Sequence, residues 1–91
     1  MDRVSSTRLK VTNEKGIHAR PASLIARTMG AFDAGVTLHR GDQKADAHSV
    51  LSILMLAATQ GTELVGEATG TEREQALHAL VTLFEAGFED E

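Results

Sequence analysis

Two hydrophobic periods alternate along the chain, and their order leaves few folds open. Arg8-Leu9-Lys10-Val11-Thr12 alternates polar and apolar, the period of a half-buried strand. Asn13-Glu14-Lys15-Gly16 reads as a turn. From residue 19 to 29, Ala22, Ile25, Ala26 and Met29 recur at three and four, one face of a helix. Pro21 falls in its first turn, where a missing N–H is no loss, and Gly30 is a plausible stop. Residues 35–40 alternate again, Gly41-Asp42 suits a two-residue hairpin turn, and residues 43–47 form a weak edge strand. Ser49 then opens an apolar run, residues 50–58, whose length and lack of aromatics favour a helix ended by Gln60-Gly61. Residues 63–69 read as a fourth strand weakened by Gly66. Thr71-Glu72-Arg73-Glu74 has the form of a capping box. Leu77, Leu80, Val81 and Phe84 continue as a stripe through about residue 86. The tail Phe88-Glu89-Asp90-Glu91 is expected to fray.

The order is β-α-β-β-α-β-α, and each strand has one clearly apolar face. That predicts an α+β open-faced sandwich, an antiparallel sheet with helices on one side and water on the other. Ninety-one residues fit a single domain, residues 1–91, with one core. A domain of this size buries roughly 60–65% of its unfolded surface, so its stability margin is small. The chain has no cysteine, which excludes disulfides and thiolate metal sites and suits a reducing cytoplasm. Met1-Asp2-Arg3-Val4-Ser5-Ser6 lacks the apolar core of a signal peptide, and no run approaches a membrane span.

Net charge is −4, which argues against nucleic acid as the main partner. The charge is uneven. Residues 1–30 carry six Lys/Arg against two acids, or +4, whereas residues 49–91 carry one arginine against eight acids, or −7. A basic N-terminal third suits an anion or an acidic protein surface, although such charges equally solvate separate faces.

His18 stands between the glycine-containing turn and the helix start. The first amides of a helix have no internal partners, and with the helix dipole they form an anion site. A phosphoryl group on an imidazole nitrogen would lie beside the amides of Ala19 and Arg20, and the neutral imidazole is the nucleophilic form. Arg20 can set a guanidinium on the phosphoryl oxygens. Pro21 stiffens the turn, and Gly16 leaves room for a partner. Singly, each of these residues is an ordinary surface or helix-start residue; together they make a candidate phosphoryl site. His39, His48 and His78 show no metal-ligand spacing and read as surface residues, so no metal and no cofactor is expected.

The segment Asn13-Glu14-Lys15-Gly16-Ile17-His18-Ala19-Arg20-Pro21-Ala22-Ser23 resembles the active-site segment of HPr, the histidine-containing phosphocarrier family of the bacterial phosphoenolpyruvate:sugar phosphotransferase system. The likeness extends over residues 7–84. It implies a four-stranded antiparallel sheet with three helices on one face. It also implies that His18 is phosphorylated on Nδ1 by enzyme I, with Arg20 assisting, and that the group passes to an enzyme IIA domain in sugar uptake. Ser49 matches the family's regulatory serine, the target of an ATP-dependent serine kinase/phosphorylase in some members; as a plain residue it is a favoured N-cap. His48 stands where kinase-regulated relatives have lysine, and Lys15 where relatives have a small polar residue, a position from which it can add a phosphate contact.

The apolar run 50–58 has more apolar surface than one face can bury. Leu51, Leu54 and Met55 are therefore expected to leave an exposed docking patch near His18, with Arg27 at its rim or simply solvated. The reading is of a monomeric carrier rather than a free-standing enzyme; there is no Gly-x-x-x-x-Gly-Lys-Ser/Thr loop for ATP. The alternative is a regulatory module of a related phosphorelay, nitrogen-related or linked to dihydroxyacetone kinase, whose phosphorylation state a transcriptional regulator reads.

Overall fold

The computed structural model describes residues 3–89; the first two residues of the leader reading, Met1 and Asp2, and the last two of the tail, Asp90 and Glu91, lie outside the described residues. The elements are β1 (Val4–Lys10), α1 (Ala19–Met29), β2 (Gly35–Arg40), β3 (Gln43–Asp46), α2 (Val50–Leu54), β4 (Glu63–Thr69) and α3 (Arg73–Glu85). The strands form one antiparallel sheet in the order β1-β4-β2-β3. Gly41-Asp42 joins β2 to β3, with Arg40 opposite Gln43. The three helices pack on one side of this open sheet, α3 across β1 and β4 and α2 against β3, with α1 against both helices. Leu9, Val36, Leu38, Leu64 and Ala68 face the helices, which bury Ile25, Met29, Ile53, Leu77, Leu80 and Phe84 against them.

Gly66 has a packing role in β4. A Cβ there would sit 3.0 Å from Leu80 Cδ2 and 3.2 Å from Leu9 Cδ1, so the bare backbone lets α3 lie close to the sheet.

Four sequence expectations change. β1 begins at Val4 rather than Arg8 and pairs with β4 along its length, Val4 opposite Thr69 and Lys10 opposite Glu63. Its half-buried positions at the start are Ser5 and Thr7, hydroxyl residues that leave no apolar alternation to read. α2 is five residues long rather than nine, because the chain turns away through Ala57, whose φ of 49° is left-handed. The capping box does not form. Glu72 is the N-cap of α3, Thr71 Oγ1 donates to Asp33 Oδ2 (2.6 Å), and Glu74 Oε2 accepts from Ser5 Oγ (2.6 Å). Tertiary partners thus take both side chains that a box would pair. Finally, Phe88 is buried, not frayed: Gly87 at φ 61° turns the chain back, and the Phe88 ring meets Phe84 edge-on at 5.0 Å.

Candidate functional site

The turn before α1 is fixed from inside. Asn13, itself buried, donates from Nδ2 to the Gly16 carbonyl (2.7 Å), and the Gly16 N–H donates to the Asn13 carbonyl (3.2 Å). Gly16 holds φ at 70°, and a Cβ on it would fall 2.5 Å from the Ala58 carbonyl oxygen and 2.9 Å from Thr59 Cα. Only glycine satisfies both the left-handed backbone and the close approach. The next amide, Ile17 N–H, donates to that same Ala58 carbonyl (2.9 Å), and the Ile17 side chain is buried.

His18 follows as the N-cap of α1, with extended backbone at φ −95° and ψ −164°. Its carbonyl accepts from the Ala22 N–H (3.0 Å), closing the first helical turn. Its side chain is half-buried, and the Nε2 atom is enclosed by protein. The first turn of α1 holds no acidic residue. Pro21, buried, has no N–H, so the amides of this terminus that can face an anion are those of Ala19 and Arg20.

The other residues singled out in the sequence fall as follows. Ala19 and Arg20 are exposed in the first turn, and Arg20 and Arg27 line one shallow groove with Ala19, Ser23 and Leu24. Lys15 is exposed in the turn before Gly16 and lines a different hollow, with Asn13, Glu14 and Glu85. Ser49 caps α2, its Oγ accepting from the Ser52 N–H (3.2 Å). Leu51 and Met55 are 71% and 73% exposed, whereas Leu54 is half-buried and packs on the core. Of the predicted docking trio, two side chains therefore face solvent and one does not.

Sequence reasoning read Asn13 only as a turn former and gave Arg40 no role. Arg40 Nη1 donates to the carbonyls of Leu56 (2.6 Å) and Ala57 (3.0 Å), just beyond α2. No local pattern announces either interaction; Arg40 reaches across sixteen residues. Among the described residues no group of three His, Asp or Glu side chains could hold a metal ion, and no helix is long and apolar enough to cross a membrane.

An open four-stranded sheet under three helices, with a histidine and an arginine at the N-terminus of the first, defines a small α+β protein with a candidate anion site at that terminus. Comparison with known proteins makes this specific. Residues 5–86 match the family model described as PTS HPr component phosphorylation site. The chain is 42% identical to the phosphocarrier protein NPr of Escherichia coli over 85 residues, 91% of this chain and 93% of that one. It is 35% identical to the phosphocarrier protein HPr of Xylella fastidiosa over 83 residues, again 91% and 93% of the two chains. The crystal structure of HPr-C-His from Thermoanaerobacter tengcongensis superposes with a TM-score of 0.90 at 32% identity, covering 96% of this chain and 98% of that one. The chain belongs to the HPr family, the phosphocarriers of the phosphotransferase system.

Proposed function

We propose that His18 accepts a phosphoryl group on Nδ1 from phosphorylated enzyme I and passes it to an enzyme IIA domain. The observation that carries this reading is the setting of the ring. His18 caps α1 with its Nε2 enclosed, which leaves Nδ1 as the nitrogen for exchange, beside a helix terminus that favours an anion. In each transfer the donor's bond to phosphorus breaks as the N–P bond forms, and the reverse exchange hands the group on. The Ala19 and Arg20 amides hold the terminal oxygens, with the Arg20 guanidinium and Lys15 adding positive charge. Arg27 and the exposed Leu51 and Met55 serve as the docking rim for successive partners. Ser49, the N-cap of α2, is a second and regulatory phosphorylation position, read by a serine kinase/phosphorylase. The proposed setting is the cytoplasm, with the carrier monomeric.

One observation favours a second destination. Identity to the NPr phosphocarriers reaches 42%, against 35–36% for the HPr proteins of Xylella fastidiosa and Treponema pallidum. We read this as favouring a nitrogen-related phosphorelay over sugar uptake.

The test is phosphorylation by phosphoenolpyruvate with enzyme I of each branch, read by intact mass and acid lability. One acid-labile phosphoryl group, absent in His18→Ala, is expected. Faster labelling by the nitrogen-branch enzyme supports the second destination, faster labelling by the sugar-branch enzyme supports the first, and no labelling by either cognate enzyme refutes carriage.

A further inference from the structure

We infer that Arg40 is a positioning residue for His18, acting through the loop that follows α2; the inference rests on the carrier reading given above. The chain of contacts is continuous. Arg40 is the last residue of β2, on the rigid sheet. Its Nη1 holds the Leu56 and Ala57 carbonyls at 2.6 and 3.0 Å, charge-assisted bonds to two backbone groups just past the end of α2. Ala57 is left-handed at φ 49°, a conformation that alanine keeps only where its surroundings enforce it. The very next carbonyl, Ala58, receives the Ile17 N–H at 2.9 Å and faces Gly16 at a distance that admits no Cβ. Ile17 is bonded to His18.

The far end of the same loop is tied separately, by Gly61 N–H to the Val11 carbonyl (2.8 Å) and Val11 N–H to the Thr62 carbonyl (3.0 Å). Within it Thr59 and Thr62 close a turn, the Thr62 N–H donating to the Thr59 carbonyl (3.0 Å). The Leu56 and Ala57 N–H groups bond back to the Ile53 and Leu54 carbonyls (both 3.1 Å), and Arg40 adds the side-chain anchor on the carbonyl side of the same turn. Without it, the left-handed turn at Ala57 keeps only those local bonds, and the Ala58 backbone that backs residues 16–17 is freer to shift. A displacement of about 1 Å at a phosphoryl-accepting nitrogen is enough to slow transfer by one to two orders of magnitude. Arginine suits the task because a single Nη1 carries two hydrogens, one for each of two successive carbonyls, and the group keeps its charge.

The test compares wild type, Arg40→Met and Arg40→Lys. Amide exchange at Ile17 is read against the strand amide of Leu64, and phosphoryl transfer from enzyme I is resolved into kcat and KM. In Arg40→Met, Ile17 is expected to exchange about tenfold faster while Leu64 stays protected, and kcat to fall about tenfold with a smaller change in KM. Arg40→Lys, which keeps a donor and the charge, is expected to recover part of both. Unchanged Ile17 protection overturns the brace. Faster Ile17 exchange with unchanged kcat overturns the positioning role, and so does a uniform loss of protection at both amides, which is plain destabilisation. If wild type takes up no phosphoryl group, the carrier reading fails, and the exchange comparison still decides the brace.

Discussion

Replacing Gly16 by alanine isolates the contact on which the site is built. Two costs are visible. The first is conformational: at φ 70° a side chain costs about 1–2 kcal/mol. The second is steric: the new Cβ would stand 2.5 Å from the Ala58 oxygen and 2.9 Å from Thr59 Cα, both backbone atoms that cannot rotate away. Reaching ordinary contact requires the loop to retreat by about 1 Å, which breaks the Ile17–Ala58 hydrogen bond and leaves a buried donor, a loss of about 1–3 kcal/mol. Gly16→Ala is thus expected to cost about 2–5 kcal/mol, a large share of the roughly 5–15 kcal/mol that holds a domain together. The control is Gly41→Ala in the β2–β3 turn, where φ is 56° and no atom lies within 4 Å of the added Cβ. It carries only the conformational cost, about 1 kcal/mol. Urea unfolding of both variants, with equal slopes, gives the comparison. If the two midpoints correspond to stabilities within about 0.5 kcal/mol of each other, the close approach to Ala58 is not what requires glycine at position 16, and the reasoning fails.

Two further outcomes test the parts of the fold that overturned the sequence reading. Phe88→Ala removes a ring that is 1% exposed and packed on Phe84, and it should cost about 2–4 kcal/mol by chemical denaturation, whereas a frayed residue would cost almost nothing. In double-mutant cycles, Thr71 should couple to Asp33 by about 0.5–1 kcal/mol and to Glu74 by nearly zero; a capping box would reverse those two values.

What could be read in advance followed from how local each determinant is. Ile25 and Met29 must share a helix face, and Leu9 and Leu64 a sheet face, so burial imposes a period that a linear text preserves. The position of the candidate site was legible for the same reason: His18, Arg20 and Pro21 fall within four residues, at the N-cap and first turn of one helix. Where the determinant was distant, the text misled. Ala57 and Ala58 are strong helix formers, yet α2 ends at Leu54 and the chain turns through a left-handed Ala57, where Arg40 from β2 holds the Leu56 and Ala57 carbonyls and Ile17 takes the Ala58 carbonyl. Thr71 and Glu74 have capping-box spacing, yet their side chains bond Asp33 and Ser5 from other elements instead. Ser5 and Thr7 are polar residues in strand positions that only the pairing with β4 reveals.

The distribution of restraints around His18 bears on how one surface can meet partners in turn. Several contacts that fix residues 13–22 come from behind or from within the backbone, among them Asn13 to the Gly16 carbonyl, Ile17 to the Ala58 carbonyl and Ala22 to the His18 carbonyl. Pro21 and Ala22 are buried, so the helix is seated by its inner face. Ala19, Arg20, Arg27, Leu51 and Met55 are left on the outer side, and none of these five belongs to the buried core. Evolution of the rim is thereby uncoupled from stability, since surface substitutions of this kind change folding free energy by only about 0.5 kcal/mol. Under the proposed function, a carrier built this way would alter which partner it fits by changing Lys15, Arg27 or Met55, while Gly16, Asn13 and Arg40 would keep the histidine in place. Under that reading the choice between a sugar and a nitrogen-related destination belongs to the rim, and the geometry of transfer to the loop beneath it.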